Sequence, residues 1–280
     1  MVRSKKISAL YYMLLTVGMV IFTIPMIYLV SYSLRDNSAI YHYPPTLFPT
    51  ADDFTFNNFV HILSGNQMIY RYLVNSLFVT ITTVTCIAII SSLLAYGLGR
   101  FTFPGRKMIF GLILGTMTVP GLVLILPQFE MAIFFHFLDK HSGLILIYIA
   151  WNLPFSTFMI KGFIEHIPKD YDNSILIDGG NYFTIYRHII FPLAKPAIAA
   201  TTVFNFLTVW EEYPWALTVI NEQSRKTFPI FIAGFFGRHN FTQYGYIFAV
   251  SVISLVPILL IYISMQKYFQ QGLTAGGIKG

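Results

Sequence analysis

Ile167-Pro-Lys-Asp-Tyr-Asp-Asn-Ser-Ile-Leu-Ile-Asp-Gly-Gly180 is a polar stretch between two long apolar runs. Pro168 suits the first turn of a helix, where its missing N–H costs nothing, and the carboxylates that follow suit the helix dipole. Gly179 and Gly180 then predict the end of the helix, because glycine adopts the left-handed conformation without strain. Side chains at three- and four-residue spacing are predicted to share one helix face: Tyr171, Ser174, Ile175 and Asp178.

A second short helix is predicted just after the glycine pair. Residues 182–190 form an amphipathic pattern that ends before Pro192, which is expected to stop the helix. The whole stretch is therefore predicted to be a helical hairpin with a glycine bend, and its shape favours a surface presented to a cytosolic partner.

The composition around this hairpin excludes a soluble globule. Of the 280 residues, 55% are hydrophobic and only 11% are charged, with a mean hydropathy of +0.63, whereas a soluble domain has about a quarter charged residues. The net charge of +6 does not indicate nucleic-acid binding, because the basic residues lie between apolar runs rather than on a polar face. The single cysteine, Cys86, allows neither an internal disulfide nor a cysteine metal site.

Six apolar runs are long enough to cross a bilayer, which needs about 20 residues per helix. They cover residues 8–32, 73–98, 108–129, 144–162, 197–219 and 245–268. The first run is too long for a signal-peptide core and lacks an Ala-x-Ala site, so a retained helix is predicted. Prolines in or near the runs predict kinks: Pro120, Pro127, Pro154, Pro214 and Pro257. The fold class is thus an all-α, six-span membrane protein with one domain over residues 1–280.

Basic residues predict the orientation. With both termini in the cytoplasm, twelve of the eighteen Lys and Arg residues lie on the cytoplasmic side and six lie outside, as the positive-inside rule favours. The twelve are Arg3, Lys5, Lys6, Arg100, Arg106, Lys107, Lys161, Lys169, Arg187, Lys195, Lys267 and Lys279.

Three stretches resemble one family, the permeases of carbohydrate ABC importers and in particular the maltose-type G subunits. In the hairpin, Asn173-Ser-Ile lies at the Glu-Ala-Ala positions of the family's EAA loop, Gly179 at its glycine and Ile189-Ile-Phe-Pro at its closing motif. Trp210-Glu-Glu-Tyr resembles the branch's Trp-Asn-[Asp/Glu]-[Phe/Tyr], and the tail Gln266 to Gly280 resembles the G-type terminus. Asn173 and Glu211 depart from the pattern, since Asn173 lacks the usual carboxylate and Glu211 replaces Asn.

The resemblance implies a type I ABC importer permease fold with a core over about 70–268, a cytoplasmic coupling loop over about 163–196 and a tail over 269–280. It implies an F-type partner permease, two cytosolic ATPase subunits, an extracytoplasmic solute-binding protein and an oligosaccharide substrate, in an inner or plasma membrane. ATP and Mg²⁺ would be bound by the ATPases, because this chain lacks a Gly-x-x-x-x-Gly-Lys-[Ser/Thr] loop; it is expected to be no enzyme and to hold no cofactor or metal.

The resemblance also assigns the residues that would contact the ATPase. Those in the hairpin are Asp170, Asp172, Asn173, Ser174, Ile175, Asp178, Gly179 and Gly180, and those in the tail are Gly272, Thr274 and Lys279.

Candidate residues for a sugar path come late in the fifth apolar run. Carboxylates at membrane depth are costly and usually face a cavity or a partner, and aromatic faces suit sugar rings. The candidates are Asn205, Trp210, Glu211, Glu212, Tyr213 and Trp215. The competing interpretation is an interfacial position near the outer headgroups, where carboxylates hydrate freely and aromatics form a belt.

Other polar positions are open to two interpretations. The second run carries polar residues that favour either helix–helix hydrogen bonds or a path lining: Asn75, Ser76, Thr80, Thr82, Thr83, Ser91 and Ser92. His136, Asp139 and His141 are closely spaced, but a solvated outer turn is the preferred interpretation over a metal site. Residues 221–244 match the outer loop that enters the binding protein in maltose-type systems, or are a bare connector.

Three rival functions remain at this point. A secondary carrier is expected to show inverted repeats and buried midplane charges, and neither is clear here. A membrane-embedded enzyme needs a charged cluster inside the spans, which hold almost no ionisable groups. An ABC permease for another polar solute, such as glycerol phosphate, shares the loop and the tail and is not separated by sequence.

Overall fold

The computed structural model describes residues 5–65, 68–235 and 243–277. Within these ranges the regular structure is helical, and the only β pairing is an isolated bridge between Arg35 and Phe54. The helices are α1 (Lys5–Ser33), α2 (Asn37–Ile40), α3 (Asn57–Gly65), α4 (Met68–Arg100), α5 (Arg106–Thr116), α6 (Ile125–Phe134), α7 (His141–Glu165), α8 (Asp170–Ile177), α9 (Tyr182–Ile185), α10 (Phe191–Trp210), α11 (Pro214–Val219), α12 (Phe228–Ala233) and α13 (Tyr244–Gly277).

The predicted fold class is confirmed. In the part of the chain that the structure describes, five helical stretches are long and apolar enough to cross a membrane, and a bent pair of helices makes six if it counts as one span. The five are Leu10–Ser33, Met68–Arg100, His141–Glu165, Tyr182–Trp210 and Tyr244–Tyr268. The most apolar window of the first stretch contributes nothing to the interior, which is the pattern of a helix whose surface faces lipid.

The third span differs from the continuous helix predicted over residues 108–129. Helix α5 ends at Thr116, and the chain resumes as a 3-10 turn that runs into α6, with a 90° angle between the two parts. Pro120 causes the break, because it cannot donate a backbone hydrogen bond and disfavours helical geometry at Val119. This span is therefore bent rather than merely kinked.

The fifth span begins earlier and ends earlier than predicted. It starts at Tyr182 instead of residue 197, passes through Pro192, and ends at Trp210. The expectation that Pro192 stops the helix is wrong, because Tyr186–Ile190 forms a π-helical turn in which the Phe191 N–H donates to the Tyr186 carbonyl. The wider turn relieves the clash between a proline ring and the carbonyl four residues earlier, so the helix continues.

Chain contacts divide the molecule into two compact units, residues 1–70 with 231–256 and residues 71–230 with 257–280. In the first unit, the Arg35 guanidinium is 2% exposed and donates to the Thr46 carbonyl at 2.8 Å and to its hydroxyl at 2.7 Å. It also lies 4.5 Å from the Tyr32 ring centroid and 3.8 Å from the Asp53 carboxylate. This buried cation is therefore paired, and it fixes the loop that follows α1.

In the second unit, α7 packs against α10 through small and polar side chains. Ala194, Ala197 and Thr201 are buried on α10, and the Asn205 amide donates to the Ser156 hydroxyl at 2.8 Å. Small residues let the helix backbones approach, and polar pairs hold them where lipid supplies no hydrophobic drive between helices. The single domain predicted over residues 1–280 stays a prediction.

Candidate functional site

The hairpin of residues 167–190 is built as its sequence predicts, with one shift. Helix α8 begins at Asp170, two residues after Pro168, and Lys169 occupies the N-cap position. It ends at Ile177 with Asp178 at the C-cap; Gly179 follows with φ +80°, and the Gly180 N–H donates to the Ile175 carbonyl at 2.8 Å. A Cβ on Gly180 would lie 2.5 Å from the Ile175 Cγ2. The bend therefore requires glycine at both positions, for conformation at the first and for space at the second.

The second arm of the hairpin starts with a capping box that the sequence interpretation missed. The Asn181 carboxamide oxygen accepts from the Thr184 N–H at 2.9 Å, and the Thr184 hydroxyl accepts from the Asn181 N–H. The signal was readable as Asn-x-x-Thr directly after the glycine pair. The arm is thus locally stabilised and leads without a break into α10 through the π turn.

Only part of the hairpin surface is buried against the rest of the chain. Ile175 packs against a buried cluster that includes Ile164, Ile167 and Ile190, whereas Ile177 is 85% exposed. The four residues predicted to share one face therefore divide, since Ile175 is half-buried and the other three are exposed. Of the predicted ATPase contacts, those on the exposed side are Asp170, Asn173, Ser174, Asp178 and Gly179, while Asp172, Ile175 and Gly180 are half-buried.

Three polar side chains of α4 hold the hairpin. We call Ser92, Tyr96 and Arg100 the α4 clamp; they are four residues apart and so lie along one helix stripe. The Ser92 hydroxyl bonds the Tyr186 hydroxyl at 2.8 Å, the Tyr96 hydroxyl donates to the Tyr182 carbonyl at 3.0 Å, and Arg100 Nη1 donates to the Ile167 carbonyl at 2.8 Å. The clamp ties both arms of the hairpin to one transmembrane helix, and it was missed because no local sequence pattern marks it.

Arg100 also pairs with Asp172. The distance between Arg100 Nε and Asp172 Oδ2 is 3.3 Å, and the two side chains are 4% and 17% exposed. Burial raises the pKa of the Asp172 carboxyl, and the neighbouring Arg100 and Lys169 oppose that rise only in part. The loss of hydration therefore outweighs the attraction for this carboxylate. Arg100 is held firmly by its carbonyl acceptor, whereas Asp172 is held at some electrostatic cost.

The predicted path residues are not brought together as one surface. Asn205, Trp210 and Trp215 are 2%, 1% and 0% exposed, so they belong to the chain's own interior in this conformation. Glu211 is exposed and Tyr213 is half-buried. These two are the members of the predicted set, beside Glu212, that reach the surface.

Glu212 has a structural role at the break between α10 and α11. Its Oε1 accepts from the Trp215 N–H at 2.7 Å, its Oε2 accepts from the Ala216 N–H at 3.1 Å, and the Tyr148 hydroxyl donates to Oε2. A carboxylate that satisfies the free N–H groups at the start of a helix is stabilised there. Glu212 thus ends the fifth span and starts α11.

The polar residues of the second span form intramolecular contacts. Ser76, Thr80 and Thr83 are buried, the Ser76 hydroxyl accepts from the Phe228 N–H at 2.7 Å, and the Asn75 amide donates to the carbonyls of residues 224 and 226. Asn75 and Ser76 therefore hydrogen-bond to the segment that leads into α12, as the helix–helix interpretation predicts, whereas the buried Thr83 hydroxyl has no hydrogen-bond partner among the described residues. Among the described residues, no group of three His, Cys, Asp or Glu side chains is placed to hold a metal. Of the tail, Gly272 and Thr274 lie in α13, and Lys279 lies outside the described residues.

A helical membrane chain whose polar hairpin is clamped to one transmembrane helix and continuous with another has the architecture of a membrane-embedded transport subunit. The chain belongs to the family of binding-protein-dependent transport system inner membrane components, whose profile matches residues 91–275.

Named relatives and a solved structure agree with this family. The chain is 30% identical, over 97% of its length and 94% of the relative, to the arabinooligosaccharides transport system permease protein AraQ of Bacillus subtilis. It is 34% identical, over 81% and 82%, to the trehalose/maltose transport system permease protein MalG of Thermococcus litoralis. Its fold matches a chain of a bacterial ABC transporter involved in alginate import with a TM-score of 0.81, covering 96% of this chain and 99% of that one at 23% identity.

Proposed function

We propose that this chain is the transmembrane subunit of an ATP-driven, binding-protein-dependent importer of oligosaccharides. It works with an F-type partner permease, two cytosolic ATPase subunits and an extracytoplasmic solute-binding protein. The relatives' names support a carbohydrate substrate, because AraQ and MalG are both named for sugar transport. ATP hydrolysis is assigned to the partner subunits, since this chain lacks a phosphate-binding loop.

The observation that carries the proposal is the set of exposed apolar side chains around α8, the first helix of the clamped hairpin. Ile177 is 85% exposed, and Tyr171 and Leu176 are 49% and 43% exposed on the same short helix. The helix is polar enough to lie outside the membrane, with Asp170 and Asp172 in its first turn. Exposed apolar side chains on such a segment mark a protein–protein contact. We assign this surface to the ATPase.

Movement of the ATPase can reach the membrane by two routes, one through continuous backbone and one through the α4 clamp. The second arm of the hairpin is continuous with the fifth span over Tyr182–Trp210, and the α4 clamp ties both arms to the second span. A displacement of the hairpin is therefore passed to two spans at once. The transport cycle requires such a link, because ATP is hydrolysed away from the solute path.

The test is uptake by proteoliposomes that contain the whole complex. Oligosaccharide uptake is expected to require internal ATP and the binding protein and to ignore an imposed proton gradient. Ile177→Glu is expected to abolish co-purification of the ATPase while the variant still inserts in the membrane, and Ile177→Val, which keeps the apolar contact, is the matched control. Uptake driven by a proton gradient, or full ATPase retention by Ile177→Glu, would refute the proposal.

Cysteine labelling of the same complex tests which side of the membrane the hairpin occupies. With Cys86 replaced by serine, a single cysteine at position 173 is expected to react with impermeant reagents only from the ATPase side. Labelling from the binding-protein side would contradict the orientation with both termini in the cytoplasm.

A further inference from the structure

A polar cavity of about 470 Å³ lies at the end of α4 opposite the α4 clamp. We call it the outer pocket. Its lining is Arg71, Asn75, Lys140, His141, Ser142, Glu222, Ser224 and Arg225. Arg71 is in the first turn of α4 and Arg100 in its last, so the two ends are about 44 Å apart at 1.5 Å per residue. That length exceeds the roughly 30 Å hydrocarbon core, so the outer pocket and the hairpin lie at opposite faces of the membrane.

The outer pocket carries an excess of positive charge. Glu222, the one carboxylate among the described lining residues, lies 2.9 Å from the Arg225 guanidinium and accepts from the Ser224 hydroxyl, so it is already paired. The side chains of Arg71 and Lys140 have no hydrogen-bond or ion-pair partner among the described residues. The start of α7 adds its free N–H groups and has no acidic residue in its first turn. Arg71 and Lys140, without a partner among the described residues, thus line a polar cavity beside a positive helix end.

The walls of the outer pocket are fixed before any ligand arrives. The Asn75 amide donates to the carbonyls of Ser224 and Lys226, each at 3.0 Å. The His141 Nε2 lies 2.9 Å from the Arg225 carbonyl, and Asp139 Oδ1 accepts from backbone N–H groups of the same loop. A site held in this way gains affinity because little ordering is needed on binding.

The lining excludes two kinds of occupant. Among the described residues, no Trp, Tyr or Phe side chain lines the cavity to stack on a sugar ring, and no aliphatic side chain lines it to hold an acyl chain. The lining suits an anionic group that arrives from water. The partner that must approach this face under the proposed function is the solute-binding protein.

We propose that the outer pocket is a docking site for Asp or Glu carboxylates on the surface of the extracytoplasmic solute-binding protein, with Arg71 and Lys140 as their cationic partners. This inference rests on the proposed function for the identity of the partner. Charged contacts of this kind speed association and fix the orientation of the docked protein.

The test measures ATPase activity of the complete complex in nanodiscs as a function of binding-protein concentration. In Arg71→Gln/Lys140→Gln the half-saturating concentration of the binding protein is expected to rise about tenfold, because the charged contacts that hold the docked protein are lost. Wild type is expected to lose affinity as ionic strength rises, and the double variant to lose less, because the screened contacts are gone. Lys107→Gln removes an exposed cation in the first turn of α5, near the other end of α4, and is expected to leave the half-saturating concentration unchanged.

The outcomes separate this proposal from the proposed function. An unchanged half-saturating concentration in Arg71→Gln/Lys140→Gln, with stimulation intact, overturns the docking site and leaves the importer standing. A wild-type complex that ignores the binding protein sinks the proposed function. An effect seen only with anionic lipid in the nanodisc assigns the outer pocket to a headgroup and overturns the proposal. If the double variant fails to assemble, Lys140→Gln alone, at an exposed turn position, gives the same comparison.

Discussion

Replacing Arg100 with methionine is expected to loosen the hairpin from α4 far more than the same change at Arg106. Both arginines pair with a carboxylate, at 3.3 Å and 3.1 Å, but Arg100 is 4% exposed and Arg106 is 26% exposed. Arg100 also donates at 2.8 Å to the carbonyl of Ile167, which is itself buried. Losing a charged hydrogen bond and orphaning that carbonyl cost about 3 kcal/mol together. The exposed pair of Arg106 contributes less than about 1 kcal/mol.

The assay is hydrogen exchange of the backbone amides in residues 167–180, in the complete complex. A loss of about 3 kcal/mol corresponds to a roughly 150-fold rise in the population of the opened hairpin, so protection is expected to fall by about that factor in Arg100→Met. Arg106→Met is expected to change protection less than about fivefold. Asp172→Asn is expected to have a smaller effect than Arg100→Met, because the hydration lost by that carboxylate already outweighs its attraction to Arg100. Equal effects of the two arginine variants would refute the clamp.

Three further outcomes follow from the same geometry. Gly179→Ala is expected to destabilise the bend by about 1 kcal/mol, because the φ of Gly179 is +80°. Unchanged amide protection in the complex would contradict this, even if the isolated hairpin peptide lost helicity. Burial raises the pKa of Asp172 above 3.8, so just above pH 3.8 the folded hairpin keeps a proton that the unfolded chain has lost. Amide protection is therefore expected to fall as pH rises through that window. This pH dependence should vanish in Asp172→Asn. Glu212→Gln leaves one of its N–H or hydroxyl donors unpaired and is expected to cost about 1–3 kcal/mol in detergent melting curves, whereas the exposed neighbour change Glu211→Gln should shift the melting temperature little.

Local chemistry was sufficient to predict the hairpin and most of the spans. Apolar runs set the membrane helices because lipid accepts no unpaired backbone. The glycine pair set the bend because Gly179 takes a positive φ and Gly180 leaves no room for a Cβ. Both signals act within a few residues, so they are visible in sequence alone.

The errors came from features that depend on hydrogen-bond register or on distant contacts. Pro120 breaks one span and Pro192 does not break another, and the difference is the π turn before Pro192. The assignment of Asn205, Trp210 and Trp215 to a sugar path stays a prediction, although the three side chains are buried within this chain. The α4 clamp joins residues up to 94 positions apart, as between Ser92 and Tyr186. No sequence pattern within one helix predicts a hydrogen-bond partner so distant along the chain.

The uninterrupted run from Tyr182 to Trp210 makes the fifth span a lever whose short arm protrudes beyond the bilayer. Its 29 residues measure about 44 Å at 1.5 Å per residue. The part beyond the π turn has 20 residues, about 30 Å, so a tilt of roughly 10° about that turn moves the far tip through about 5 Å. The π turn, where the hydrogen-bond ladder changes register, is the natural pivot for that motion. A small rocking of the short arm is thereby magnified at the opposite rim, where Glu212 fastens the tip to the next helix.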